Sequence, residues 1–194
     1  MRCVYCDQMI KKESIYSILI EKDLLCNDCR KSLIVKRRYK KLDKYQVEYF
    51  YDYDGLFRSL LLQYKECHDE ILKDVFLYHL KDYLNIKYYS YKLILVPSSK
   101  QKLKQRGFNH LDLIFSDLKL ERINNISMKE DLIQEGKGLE MRKAMLNNYI
   151  YEGDNLKKVL LVDDVMTTGS SLLGMCRALE KKVSLIKLLC LSCK

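Results

Sequence analysis

Residues 163 to 171 read Asp-Asp-Val-Met-Thr-Thr-Gly-Ser-Ser. Two adjacent carboxylates repel a bare phosphate. They suit the hydroxyls of a sugar, or a bound Mg²⁺. The small hydroxyl-bearing residues that follow lead into an apolar helical pattern, Leu172, Leu173, Met175, Cys176 and Leu179. A loop of that kind turns backbone N–H groups and the positive end of a helix dipole toward a phosphate. The stretch therefore asks for a phosphorylated sugar. Its hydroxyls would sit on Asp163 and Asp164, and its phosphate on Thr167, Thr168, Gly169, Ser170 and Ser171. Helix capping alone accounts for a Ser or Thr here, but not for the whole string.

A second cluster starts at Pro97-Ser98-Ser99-Lys100, a small-residue loop with a cation. Lys100, Lys102, Lys104 and Arg106 follow one another with no acid among them. Such a run suits a polyphosphate, or is a charged loop.

A third lies at the N-terminus. The chain has 8 cysteines, and Cys3, Cys6, Cys26 and Cys29 form two Cys-x-x-Cys pairs. Each pair can make a tight knuckle, and four thiolates close a tetrahedral Zn²⁺ site with no open position. That describes a structural zinc, whose binding would supply much of the stability of so short a segment. Cys190 and Cys193 form a third pair, but within an extended apolar run that would point them to opposite faces. Cys67 and Cys176 read as buried neutral thiols. His68 and His79 read as structural or solvent-facing.

These groups need elements to hold them. Val159-Leu160-Leu161-Val162 has the signature of a strand buried on both faces of a parallel sheet, with the acidic pair where it emerges. Residues 91–97 and 182–190 give two further strands, and residues 45–53 a fourth. Helices are expected over residues 55–65, 69–84 and 111–118. The fold class is therefore α/β, a parallel-sheet domain over residues 45–194, preceded by a zinc module with a basic linker over residues 1–44. The linker carries Arg30, Lys31, Lys36, Arg37, Arg38, Lys40, Lys41 and Lys44 against Asp43, with Tyr39 and Tyr45 beside them. It is either a solvated linker or a surface that tracks a nucleic-acid backbone and stacks its bases.

Residues 163–171 resemble the phosphoribosyl-pyrophosphate (PRPP) loop of type I phosphoribosyltransferases. Three more features are similar to the ComF-type proteins of bacterial natural competence. They are the four N-terminal cysteines, the pattern Tyr53-Asp54-Gly55 followed by Gln63-Tyr64-Lys65, and Arg106-Gly107-Phe108-Asn109 before a helix. The resemblance covers nearly the whole chain. It implies a type I phosphoribosyltransferase-like domain behind a zinc module, PRPP bound with Mg²⁺, and ribose held by the acidic pair. It implies Ser98, Ser99, Lys100 and Arg106 near pyrophosphate, with Asn109 fixing the loop or capping the helix over 111–118. It further implies a role in DNA uptake and transformation, single-stranded DNA as a partner, and a competence helicase or other uptake proteins as associates. Two departures stand out. Thr167 occupies the slot where purine-salvage members carry an aspartate base. Met145 stands where an Asn is expected three residues after Arg142. The alternative is an active phosphoribosyltransferase with an unidentified acceptor.

The chain has 194 residues, a formal net charge of +9 and 48% hydrophobic residues. The charge fits a polyanionic partner. No apolar run reaches the ~18 residues of a membrane span, and the first residues lack a signal-peptide core. The expected location is cytoplasmic.

Overall fold

The two most apolar runs form the centre of one sheet. In the computed structural model, which describes residues 1–10, 23–67, 69–128 and 148–194, strand β7 (Leu156–Met166) pairs in parallel with β8 (Val183–Cys193). Its other side pairs in parallel with β4 (Lys92–Leu95). Val159, Leu160, Leu161 and Val162 are fully buried, as a strand covered on both faces requires. β8 continues in parallel to β2 (Tyr45–Tyr49) and, past Phe50, to β3 (Tyr51–Asp52). The expected single strand over 45–53 is thus two, both laid against β8. The outermost strand, β1 (Arg38–Leu42), pairs antiparallel with β2.

That last pairing revises the reading of the basic linker. Leu42 pairs with Tyr45, so Asp43 and Lys44 form a two-residue hairpin turn, and Asp43 takes a positive φ of 55°. Asp tolerates that conformation better than most residues. Residues 38–42 are therefore part of the sheet and not a spacer.

Helix α1 (Asn27–Ser32) follows the second cysteine pair. Helix α2 (Gly55–Glu66) buries Phe57, Leu60, Leu61 and Tyr64, one face at helical spacing. The expected helix over 69–84 is broken into a 3₁₀ turn (Glu70–Leu72), α3 (Lys73–Leu77) and α4 (Lys81–Lys87). The break has a cause. The Tyr51 hydroxyl donates to the Phe76 carbonyl at 2.8 Å, taking the acceptor that a continuing helix would offer to Leu80. Leu80 N–H turns instead to the Leu77 carbonyl at 2.9 Å.

The run after β4 is helical: α5 (Lys100–Arg106) is followed by α6 (His110–Ile114). Ser99 caps α5 through the Lys102 N–H, and Gly107, at φ 76°, ends it in the left-handed conformation. α7 (Ser170–Leu179) joins β7 to β8 and buries Leu172, Met175, Cys176 and Leu179. A small antiparallel pair, β5 (Ile126–Met128) with β6 (Tyr149–Tyr151), lies outside the main sheet. Among the described residues no helix is long and apolar enough to cross a membrane.

The first ten residues form a knuckle. Cys3 N–H bonds the Gln8 carbonyl at 2.8 Å, and Asp7 N–H the Cys3 carbonyl at 3.0 Å. Leu24, Leu25 and Leu33 are buried beside it. Arg30, counted above with the basic linker, has a different place. Its Nε donates to Asp23 Oδ2 at 2.8 Å, its Nη1 to the Val75 carbonyl at 3.3 Å, and its guanidinium lies 4.4 Å from the Tyr78 ring centroid. It fastens the module to α3. Residues 11–22, between the two cysteine pairs, lie outside the described residues.

Candidate functional site

The carboxylates sit inside β7, not beyond it. β8 pairs with β7 as far as Met166, and Lys194 N–H bonds the Met166 carbonyl at 2.9 Å. The ladder continues past the acidic pair because β8 is equally long. Side chains alternate along a strand, so Asp163 and Asp164 leave β7 toward opposite faces.

Asp164 points among α2 and α6. It is 6% exposed. Lys65, in the last turn of α2, forms an ion pair with its Oδ2. His110, the first residue of α6, places Nε2 2.6 Å from the same oxygen. The Val165 N–H donates to Oδ1 at 2.6 Å. Burial opposes ionisation, but the Lys65 charge and the His110 hydrogen bond outweigh it and hold the carboxyl well below the usual range. Asp163 is partly exposed. Its Oδ1 accepts from the Asp164 N–H at 2.8 Å. Burial, and then repulsion by Asp164, push its pKa up to about 7. One carboxylate is saturated by the protein. Its neighbour is a weak acid at the cleft wall.

The loop after β4 supplies the facing wall. Leu95 pairs with Val162, and Val96 N–H reaches the Val162 carbonyl at 2.9 Å. Pro97 has no N–H to extend the ladder, so the chain turns off level with the acidic pair. The result is a cleft of about 490 Å³, whose described lining includes Asp163, Asp164, Ser98, Ser99, Arg106 and Ser171. Six of the eleven expected sugar-phosphate residues thus meet. Lys100, at the start of α5, does not line the cleft, nor do Thr167, Thr168, Gly169 and Ser170. Thr167, Thr168 and Gly169 form the turn between β7 and α7, and Ser170 opens the helix. Thr168 Oγ1 lies 2.9 Å from Ser170 Oγ. Gly169 adopts φ 74°, and a side chain there would meet Leu42 Cδ1 at 2.4 Å. The turn is therefore pressed against the β1–β2 hairpin, and both its conformation and its packing require glycine.

Several lining residues escaped the sequence reading. Lys65 was legible only as part of the Gln63-Tyr64-Lys65 pattern, and His110 only as the residue after Asn109. Lys102, Gln101 and Gln105 line the cleft because α5 is helical and turns one face inward. Tyr149 and Asn148 close another side. Asn148 is 2% exposed, and its side-chain oxygen has no hydrogen-bond partner among the described residues. Among the described residues the buried side-chain oxygen of Asn109 likewise has no partner. Arg142 and Met145 lie outside the described residues.

The four N-terminal thiols converge, all within 4.8 Å of one another, with Cys6 Sγ 3.5 Å from Cys26 Sγ. Four sulfurs around Zn²⁺ at ~2.3 Å lie a little under 4 Å apart, so the donor set and spacing fit one zinc ion. It would cross-link the knuckle to the start of α1. Cys190 and Cys193 fall in β8, with Cys190 buried, and among the described residues the first four cysteines form the group that can hold a metal. Cys176 is buried, but Cys67 is exposed at the end of α2, contrary to its sequence reading. Its position after the last turn faces water.

A mostly parallel sheet, an acidic pair at the carboxyl end of one of its inner strands and a small-residue turn into a helix define a phosphoribosyltransferase-like α/β protein with an N-terminal four-cysteine cluster. No family model matches the chain. The chain is similar to competence protein ComFC of Streptococcus pneumoniae, 24% identical over 208 residues, covering 93% of this chain and 94% of that protein. A similarity of that span, with the four-cysteine cluster, supports assignment to the ComF family.

Proposed function

We propose that the cleft binds PRPP with Mg²⁺ and that the protein serves DNA uptake in natural competence, handling single-stranded DNA in the cytoplasm. The observation that carries the PRPP reading is the union of Asp163 and Asp164 with Ser98, Ser99, Arg106 and Lys102 around one cleft. Asp163 takes ribose hydroxyls, and Ser171, which lines the cleft in the first turn of α7, takes the 5′-phosphate together with the N–H groups of that helix end. Arg106 and Lys102 face pyrophosphate. Mg²⁺ would supply further charge neutralisation when bound. The competence role is supported by the full-length similarity to ComFC.

The aspartate base of the purine enzymes is replaced by Thr167, which is exposed in the turn. That favours binding over transfer. Transfer to an unidentified acceptor remains the second reading, favoured by Asp163 as a carboxyl able to exchange a proton near neutrality.

Calorimetric titration with PRPP and Mg²⁺ tests the site. Saturable binding by the unsubstituted chain, and its loss in Asp163→Asn, are the expected results. A titration with single-stranded DNA tests the partner separately. Equal PRPP affinity in both proteins would overturn the ribose role of Asp163.

A further inference from the structure

His110 is 6% exposed at the base of the cleft, and its two ring nitrogens meet different partners. Arg106 Nη1 lies 3.1 Å from Nδ1, and Asp164 Oδ2 lies 2.6 Å from Nε2. A guanidinium only donates. Nδ1 must therefore accept, and the ring proton sits on Nε2, where it is donated to Asp164. Ser98 Oγ, 3.4 Å from Nδ1, faces the same nitrogen from the β4–α5 loop. The backbone is fixed as well, since the Tyr64 hydroxyl donates to the His110 carbonyl at 2.9 Å.

The charged and titratable groups around the ring are Lys65 from α2, Arg106 from α5, and Asp164 from β7 with Asp163 beyond it. Burial and the two cations favour the neutral ring, against the pull of Asp164. Arg106 is thus spending a charge on a neutral acceptor. A phosphate in the cleft is a stronger partner for a guanidinium than an imidazole is. Once Arg106 turns to an anion, Nδ1 loses its cationic donor and can take a proton, which Ser98 Oγ is placed to accept as a hydrogen bond, and the resulting imidazolium grips Asp164 more firmly.

We propose that His110 is a positioning residue that links the two walls of the cleft, holding Asp164 through Nε2–H and sensing through Nδ1 whether Arg106 has turned to a bound anion. This rests on the cleft being an anion site. It goes beyond that reading by making anion binding at one wall and the order of the acidic pair at the other a single event, with uptake of a proton by the ring.

The chain has 3 histidines, so ¹⁵N spectra of the histidine side chains are simple, and His110→Gln assigns the signal. In the ligand-free protein His110 is expected as the neutral Nε2–H tautomer. In Arg106→Gln it should titrate at higher pH. The Nδ1–H tautomer, or an unchanged titration in Arg106→Gln, would sink the proposal, and neither measurement needs a ligand. With Mg²⁺ and inorganic pyrophosphate, the Nδ1 resonance of the unsubstituted protein should move in step with binding. His110→Leu should weaken that binding by about tenfold, the scale of one buried hydrogen bond to a charged group. His110→Gln, which can still donate to Asp164 and accept from Arg106, should recover it to within about threefold. A stationary Nδ1 signal at saturation would also overturn the coupling. No pyrophosphate binding by the unsubstituted protein would overturn the anion site, leaving the tautomer and the Arg106→Gln titration to decide the link between the residues.

Discussion

Asp163 and Asp164 are neighbours with opposite duties. The alternation of β7 sends them to different environments, so identical chemistry yields a committed anion and a weak acid. Removing the charge from Asp164 leaves Lys65 and His110 facing a neutral amide. Asp164→Asn should cost about 3 kcal/mol, the range for breaking a buried ion pair, read by denaturant unfolding at pH 8. Its folded-state pKa is depressed, so its contribution to stability is present above about pH 4, the ordinary carboxylate range, and is lost as pH falls below it. Asp163 behaves in the reverse sense. Its raised pKa means that ionisation opposes folding increasingly as pH rises from about 4 to 7. Asp163→Asn should accordingly be no less stable than the unsubstituted chain at pH 8. If the carboxylate form accepts ribose hydroxyls, PRPP affinity in His110→Gln, where no ring takes up a proton on binding, should rise by about tenfold from pH 6 to pH 8, as the ionised fraction does. A flat calorimetric profile over that window would contradict it. The residue types were legible in the sequence, as was their chemistry. Their inequality was not, because it comes from Lys65 and His110, which lie 99 and 54 positions from Asp164 in the chain.

Among the elements, the apolar runs announced β4, β7 and β8, and the capping and periodicity of α2 were equally plain. What failed at this scale was the ending of elements. β7 extends through two carboxylates because β8 offers it partners. The helix over 69–84 breaks because Tyr51 claims a carbonyl. α5 forms from a run read as a charged loop because Ser99 and Gly107 punctuate it at both ends. Only the last of these lay within local sequence. The turn after β7 shows the same dependence on a distant element, since Gly169 accommodates Leu42 from the hairpin. Gly169→Ala has to adopt an unfavourable φ and displace that leucine. A loss of about 1–3 kcal/mol is expected, with weaker PRPP binding. Leu42→Ala in the same background should restore part of the stability. Thermal unfolding of the single and double variants measures this.

For the whole molecule, the four-cysteine module is fastened to the sheet domain through Arg30, Asp23 and the Val75 carbonyl, in addition to the chain connection. Its cysteine pattern was legible because ligand spacing is local; its docking was not, since Arg30 looks like any other member of a basic run. One zinc per chain is expected by elemental analysis. Chelation should lower the unfolding temperature and release the knuckle first, read as increased proteolysis near residues 1–10, because little apolar burial supports it without the metal. The central α/β domain should keep its secondary structure.

The hairpin that begins with Arg38 has one further consequence. Among the described residues β1 ends the sheet, and no other described strand lies beside its outer backbone groups. A bare edge of that kind recruits other chains, and lysine is a common guard against it. Arg38, Lys40 and Lys41 lie on this strand, with Arg38 paired to Asp52 and Lys40 reaching the Lys194 carbonyl at 2.8 Å. The same cations that make the strand a candidate path for DNA also keep one copy from extending the sheet of another. Alanine at Lys40 and Lys41 would strip both roles at once, and a loss of DNA binding would be confounded by self-association. Glutamate at Lys41 removes the attraction to DNA while keeping a charge on the edge. It is the substitution that separates recognition from solubility.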